Sequence, residues 1–294
     1  MKTAVIVAAY DRPNYFRRTL QSMARCPQIR SKEYHVFVYL DAGANSRVSQ
    51  NRAIASELKA DKTVVTRPGH WGLGVNLIEA RREVFDKGYD RVFLIEDDVE
   101  LATHYFTVMT NLMNWCEAKG YQVGCVGSSI NCRLPEAEKK DKFRHAGDIC
   151  APWTNYLMTK KAWTDIYPMV YEYMDRYLVN RPYMKRDAVA IQKWMKAMSA
   201  DFTTNPTNFP VVYNVRQRFC RTDWHPPTGQ DGVCELALKK FGYARVHTIV
   251  NRVLFYGSTG THSTPRWFSE QRLNEVRLHE IPEDATNKEF IENG

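Results

Sequence analysis

The first 130 residues repeat one rhythm, in which a short apolar run is followed by a longer stretch with apolar residues at helical spacing. The runs are "TAVIVAAY", "YHVFVYLD", "KTVVTR", "RVFLIE" and "QVGCVGSS". Most are apolar at successive positions, the pattern of a strand buried on both faces. Between them lie "NYFRRTLQSMAR", preceded by the start signals Asp11 and Pro13, then "SQNRAIASELKA", "GLGVNLIEARREVFDKG" ending at Gly88, and "THYFTVMTNLMNWCEAKG". These segments predict helices. Strand and helix in alternation give right-handed crossovers, hence an α/β fold with a mostly parallel sheet covered by helices on both faces. Such sheets bind ligands beyond the carboxyl ends of their strands. Asp11, Asp41 and the run Glu96-Asp97-Asp98 each fall just after a strand, so the acids are expected to converge on one rim.

From about residue 133 the alternation degrades. "RLPEAEKKDKFRH" reads as a polar, basic loop, and "APWTNYLMTKKAWTDIYPMV" follows it. "VAIQKWMKAM" and "VCELALKKFGY" predict helices, "NVRQRFCRTDWHPPTGQDG" a loop, and "RVHTIVNRVLFY" one strand before the glycine-rich "GSTGTHSTP". No repeat or linker splits the chain. No apolar run approaches the roughly 18 residues that a membrane-spanning helix needs. The run after "MK" is too short and lacks a cleavage site for a signal peptide, and reads as the first strand. Seven cysteines, an odd number without a CxxC pair, argue for a reducing cytoplasm over a disulfide framework or zinc cluster. A net charge of +8 favours polyanionic partners such as nucleic acid, anionic lipid or a phosphorylated substrate, and equally fits a well-solvated surface.

Three adjacent carboxylates at a strand end repel one another. A hard divalent cation, Mg2+ or Mn2+, would stabilise them and complete its shell with phosphate oxygens and water, whereas a solvated turn would need no ion. Extended geometry puts Glu96 and Asp98 on one side. Asp231 in "TGQDGVCELALKKFGY" opens a predicted helix, and Asp187 in "MKRDAVAIQKW" opens another. Asp is a favoured helix N-cap, so either needs no further purpose. "GLG" at 72–74 lacks the full dinucleotide fingerprint, and there is no phosphate-binding P-loop.

These motifs resemble the GT-A glycosyltransferases of the broad family-two type and the related animal N-acetylglucosaminyltransferase I type, over residues 3 to about 130 and again over 229–264. The resemblance implies a single domain over 1–294, with a nucleotide-sugar-binding half (1–130), an acceptor and catalytic half (131–264) and a C-terminal tail (265–294). In "VIVAAYDRPNYFRRTLQSM" it implies that Ala9, Tyr10, Asp11 and Arg12 meet the nucleoside. In "VYLDAG" it assigns Asp41 to the base or ribose, and in "RPGHWGLGVNLIEA" it lays Gly72 and Asn76 against the nucleotide. "EDD" resembles the metal motif called DxD, with Asp98 as direct ligand and Glu96 or Asp97 acting on sugar, ribose or bound water. Asp231 inherits the role of catalytic base in inverting members, with Asp187 its rival, while Gln230 stands where the family has Glu. His262 matches a histidine that closes onto metal or diphosphate, and an imidazole beside carboxylate suits Mn2+ better than Mg2+. Trp153, Trp224, His225 and Gln230 are candidates for the acceptor site.

The implied activity is inverting hexosyl or pentosyl transfer from a nucleoside-diphosphate sugar, uridine being the family's commonest nucleoside. Compact enzymes of this type in phages glycosylate hydroxymethylated pyrimidines in DNA. The basic segments "KKDKFRH", "RPYMKR" and "NVRQRFCR" lie in the variable half, making DNA one expected acceptor and a glycan the other. A catalytically inactive sugar- or nucleic-acid-binding module would keep the fold but would not need Asp98 and Asp231 together. A nucleotidyltransferase would open with a glycine-rich loop after its first strand, which "VAAYDRP" lacks.

Overall fold

A computed structural model describes residues 1–44, 46–130, 132–148, 155–181, 185–200, 207–210, 228–259, 264–280 and 289–292. The first half runs β1 (Thr3–Ala9), α1 (Pro13–Arg25), α2 (Pro27–Arg30), β2 (His35–Leu40), α3 (Val48–Glu57), β3 (Lys62–Thr66), α4 (Gly72–Asp86), β4 (Arg91–Ile95), β5 (Val99–Leu101), α5 (Tyr105–Ala118) and β6 (Val123–Ser128). It continues with α6 (Glu136–Lys142), β7 (His145–Asp148), β8 (Tyr156–Thr159), α7 (Lys160–Tyr177), α8 (Ala188–Met198), α9 (Gln230–Lys240), β9 (Ala244–Thr248), β10 (Val253–Phe255), α10 (Pro265–Glu270), a 3-10 turn (Leu273–Glu275) and β11 (Ile291–Glu292).

The main sheet orders as β11-β7-β9-β6-β8-β4-β1-β2-β3. Strands β4, β1, β2 and β3 are parallel, as the alternation predicts. β8 inserts antiparallel between β4 and β6, and β7 lies antiparallel on β9. Side chains alternate across the sheet and both faces are covered, which is why the strands read as unbroken apolar runs. Val5, Val7, Val36, Val38, Phe93 and Ile95 pack with the buried sides of α1, α3 and α5. Ala4, Ile6, Phe37, Tyr39, Val92 and Leu94 pack with α4, α7, α8 and α9. Helix α1 shows the local logic. Pro13 starts it with a fixed φ and no amide to leave unpaired, and Phe16, Leu20 and Met23 recur on its buried face.

Two expectations for the second half need correction. "RLPEAEKKDKFRH" is not all loop, because Glu136–Lys142 is helical. Glu136 and Glu138 in its first turn and Lys139, Lys140 and Lys142 in its last suit the helix dipole. "RVHTIVNRVLFY" is not one strand. After Thr248, whose hydroxyl donates to the Val250 carbonyl at 3.0 Å, the chain leaves the main sheet. β10 then pairs antiparallel with β5, Phe255 opposite Val99. From Tyr156 on, β8 passes directly into α7, where Thr159 accepts from the Ala162 amide at 3.2 Å as N-cap.

This topology positions the crevice. From β1 the chain moves to β2 and β3, then returns to place β4 on the other side of β1. The order therefore reverses between β1 and β4, where open α/β sheets bind ligands beyond the strand ends. The segment after Ala9 and the segment after Ile95 face each other there. Among the described residues, no helix is long and apolar enough to cross a membrane.

Candidate functional site

At the switch point Arg12 bridges two carboxylates. Its Nη1 donates to Asp98 Oδ2 at 2.7 Å and its Nη2 to Asp97 Oδ1. Both aspartates are buried, at 7% and 4% exposure, and Glu96 is partly so. Burial pushes Asp97 up to about 7 against the pull of Arg12, and burial raises Asp98 against the same opposition. Burial, followed by the charges of Asp98 and Asp231, holds Glu96 well above the carboxylate range. Burial alone would lower Arg12, but its two aspartates keep it firmly cationic. One guanidinium is thus set against three carboxyls, more than it could neutralise were all of them ionised. Asp98 Oδ1 is buried and has no hydrogen-bond partner among the described residues, an arrangement that native proteins seldom leave unused.

The segment after β10 closes over this cluster. The Tyr256 amide donates to the Asp98 carbonyl at 3.1 Å, and the Tyr256 hydroxyl donates to the Tyr15 carbonyl at 2.9 Å. Arg12 Nη1 also reaches the Thr259 carbonyl at 3.3 Å. Gly257 lies against Asp98 so closely that an added Cβ would sit 2.1 Å from Oδ2. The lack of a side chain there is what lets the segment seat.

Asp41 follows β2 and is buried, with both oxygens engaged. Oδ1 accepts from the Trp71 amide and Oδ2 from the Gly72 amide, each at 2.9 Å. It thereby serves the start of α4, where Gly72 takes a left-handed φ of +73° that glycine tolerates best. His70 Nδ1 lies 3.0 Å from Asp41 Oδ2, and its ring packs on Tyr10 at 4.8 Å between centroids. Ala9 is buried at the end of β1 and its carbonyl accepts from the Asp41 amide at 3.0 Å, whereas Asp11 is exposed. Asn76 does not line an open surface. It is buried, and its Oδ1 accepts from Arg67 Nε at 2.8 Å. Next to this shelf is a cavity of about 470 Å3 lined by His70, Trp71, Val75, Glu79, Leu178 and Arg181 among others.

Asp231 and its rival separate clearly. Asp187 is exposed and accepts from the Ala190 amide at 2.9 Å, so it is the N-cap of α8. Asp231 is not a cap. Gly229 holds that position in α9 without a side-chain bond, and Asp231 sits within the first turn. Burial raises Asp231 to about 6, with Arg81 and then Arg245 pulling it down. Its charge is felt at Glu96, so the start of α9 and the end of β4 face one another. Gln230 is buried, donates its amide to Asp231 Oδ1 and accepts at Oε1 from Arg81 Nη2 at 2.5 Å. His262, Trp153, Trp224 and His225 lie outside the described residues.

Sequence reasoning passed over Arg81, Gly257 and His70. Arg81 did leave a signal, because it recurs with Leu77, Val84 and Phe85 on the buried side of α4, where a guanidinium is out of place unless held. Gly257 left none, since its closeness to Asp98 is a long-range contact.

Residues 2–232 match the family described as glycosyltransferase like family 2. A search of curated proteins finds no match. Among solved structures, residues 1–349 of S. aureus TarS in complex with UDP-GlcNAc are 14% identical, with 56% of this chain and 47% of that chain covered and a TM-score of 0.41. The mannosyltransferase PcManGT from Pyrobaculum calidifontis, in complex with GDP-Man and Mn2+, is 18% identical, with 55% and 46% covered and a TM-score of 0.40. The chain spans about half the length of these structures.

Proposed function

The chain belongs to glycosyltransferase like family 2, and on that footing we propose that it is an inverting enzyme that moves a sugar from a nucleoside-diphosphate sugar to an acceptor hydroxyl. The observation that carries this reading is the crevice itself, where Arg12 and three crowded carboxylates face a first-turn aspartate of α9. The donor lies beyond β1 and β2, with its nucleoside near Tyr10, His70 and Asp41 and its diphosphate near Arg12. Uridine is the nucleoside to test first.

The residues present fit a divalent ion. Among the described residues Asp98 offers a buried oxygen without a partner, in a group of carboxyls that Arg12 alone cannot fully neutralise when ionised. Among the described residues no three His, Cys, Asp or Glu side chains converge on one metal position. An ion would be held through Asp98, with His262 as a second donor, and diphosphate and water would complete its shell. Mn2+ or Mg2+ held there would neutralise charge on the leaving nucleoside diphosphate.

The protein's own groups supply the rest. Asp231 accepts the proton of the acceptor hydroxyl as that oxygen bonds to the anomeric carbon. The bond from the anomeric carbon to the phosphate oxygen breaks on the opposite face, so the configuration inverts. Arg12 is placed to stabilise the diphosphate as negative charge develops. A base held near 6 is largely ionised at neutral pH and still able to take a proton. Transfer is tested by incubating UDP-sugars, Mn2+ and candidate acceptors with wild type and Asp231→Asn. Loss of transfer with retained nucleotide binding is expected, and normal transfer by the variant would refute the assignment.

For the acceptor, the net charge of +8 favours a polyanion, and we propose DNA carrying hydroxymethylated pyrimidine ahead of a free glycan. Within the basic segments Lys139 is buried and paired with Glu136, whereas Lys140 is exposed. Transfer to DNA should weaken steeply with added salt, whereas salt-insensitive transfer to a small sugar would contradict the DNA reading.

A further inference from the structure

The buried guanidinium of Arg81 is the unusual feature beside the crevice. It is 1% exposed, and among the described residues it has no carboxylate within ion-pair distance. Its Nε donates to the Leu77 carbonyl at 3.0 Å and its Nη1 to the Tyr156 hydroxyl at 2.7 Å, both neutral groups. Its Nη2 donates to Gln230 Oε1 at 2.5 Å. A buried charge without a direct counter-ion is costly and needs a reason. Arginine has no acceptor, so the side of the Gln230 amide that meets Arg81 must be the oxygen. The NH2 group is then forced to point the other way, where it donates to Asp231 Oδ1. The amide cannot be flipped without setting donor against donor at one end and acceptor against acceptor at the other.

We propose that Gln230 is a positioning residue for Asp231, clamped by Arg81 so that its amide holds one oxygen of the carboxylate and leaves the other to the acceptor hydroxyl. The proposal builds on the reading of Asp231 as the base and explains why glutamine stands at this position. A glutamate here would pair with Arg81 directly. It would offer no hydrogen to Asp231 and would set a like charge beside it. With glutamine, the positive charge of Arg81 acts on Asp231 through a neutral amide. The other groups that act electrostatically with Asp231 are Glu96 beyond β4, Tyr156 of β8, Arg245 of β9, and Cys234 and Glu235 of its own helix. Of these, Cys234 also donates to Gln230 Oε1 at 4.0 Å, and replacing residue 230 by methionine removes that acceptor together with the amide.

The test reads Asp231 directly and needs neither donor nor acceptor. The protein is labelled with 13C at aspartate side-chain carboxyls, the Asp231 signal is assigned by its absence in Asp231→Asn, and its titration is followed from pH 4 to 9. Wild type is expected to titrate near 6. In Gln230→Glu the midpoint should rise by about one pH unit or more, since a hydrogen bond to the charged form is replaced by a like charge. Gln230→Met keeps the side-chain volume and loses only the amide, and its midpoint should also rise, by less. If the glutamate variant does not fold, the methionine variant decides alone. A midpoint unchanged in Gln230→Met would overturn the proposal and reduce Gln230 to a packing residue. Failure of the base reading is a separate result, read from transfer by Asp231→Asn, and would leave these midpoints as they are.

Discussion

Replacing Gly257 by alanine tests whether the segment after β10 is built around Asp98. The new Cβ would fall 2.1 Å from Asp98 Oδ2, 2.7 Å from its Cγ and 3.0 Å from Phe255 Cζ. Contacts of about 3.4 Å or more are normal for such atoms, so something must move by more than an ångström. The segment resists moving, because Phe255 is paired with Val99 in the two-stranded sheet and Tyr256 is bonded to Asp98 and Tyr15. The side chain of Asp98 is held just as firmly by Arg12 at 2.7 Å. Overpacking of this kind costs about 1–3 kcal/mol. Losing the charged hydrogen bond instead costs about as much, roughly 1.5–3 kcal/mol. Gly257 has no left-handed φ, so alanine carries no backbone penalty of its own. Urea unfolding should therefore give a loss of about 1–3 kcal/mol for Gly257→Ala in the wild-type background. In an Asp98→Ala background the obstructing carboxylate is gone, and the same substitution should cost under about 0.5 kcal/mol. The coupling between the two sites is the quantity of interest. An equal cost in both backgrounds, or none in the wild type, would refute the packing argument.

Asp97→Asn should stabilise the metal-free protein at pH 8 and leave it unchanged at pH 4. Burial raises the folded value to about 7, so the penalty for ionising this carboxylate is absent below its ordinary range near pH 4 and grows as pH rises to 7. The gain at pH 8 should be on the order of 2–4 kcal/mol by chemical denaturation, and a loss there would contradict the sign. Arg12→Met removes the cation between Asp97 and Asp98. It should cost about 1–3 kcal/mol without metal, and Mn2+ should recover more stability in the variant than in wild type by thermal unfolding. The rate of transfer at saturating substrate should rise with pH through a midpoint near 6, because Asp231 must be ionised to accept a proton. A rate that falls across that range would exclude Asp231 as base.

The parts of the fold that could be read from the sequence are those governed by local pattern. β1, β2 and β4 are buried on both faces and therefore apolar without interruption, and α1 carries its proline start and its stripe in plain view. β5 and β10 were harder. Each has three residues, and each is a strand only because the other lies beside it. α6 reads as loop because it carries six charged side chains in seven residues and buries only Lys139. Asp187 and Asp231 are alike in sequence, since both open a helix after a polar stretch. What separates them is one register position, cap against first turn, together with burial and the nearby charges of Arg81 and Arg245, which come from distant elements. The bond between Asn76 and Arg67 depends on how β3 and α4 pack, which no spacing records.

The most direct test of the account is calorimetric titration of UDP into the purified protein, with and without Mn2+, for wild type and Asp98→Ala. Binding by wild type should strengthen at least about tenfold when Mn2+ is present, a difference of roughly 1.4 kcal/mol. In Asp98→Ala that Mn2+-dependent gain should vanish. Equal Mn2+ enhancement in both proteins would contradict the claim that the carboxylates after β4 hold the ion against a nucleoside diphosphate.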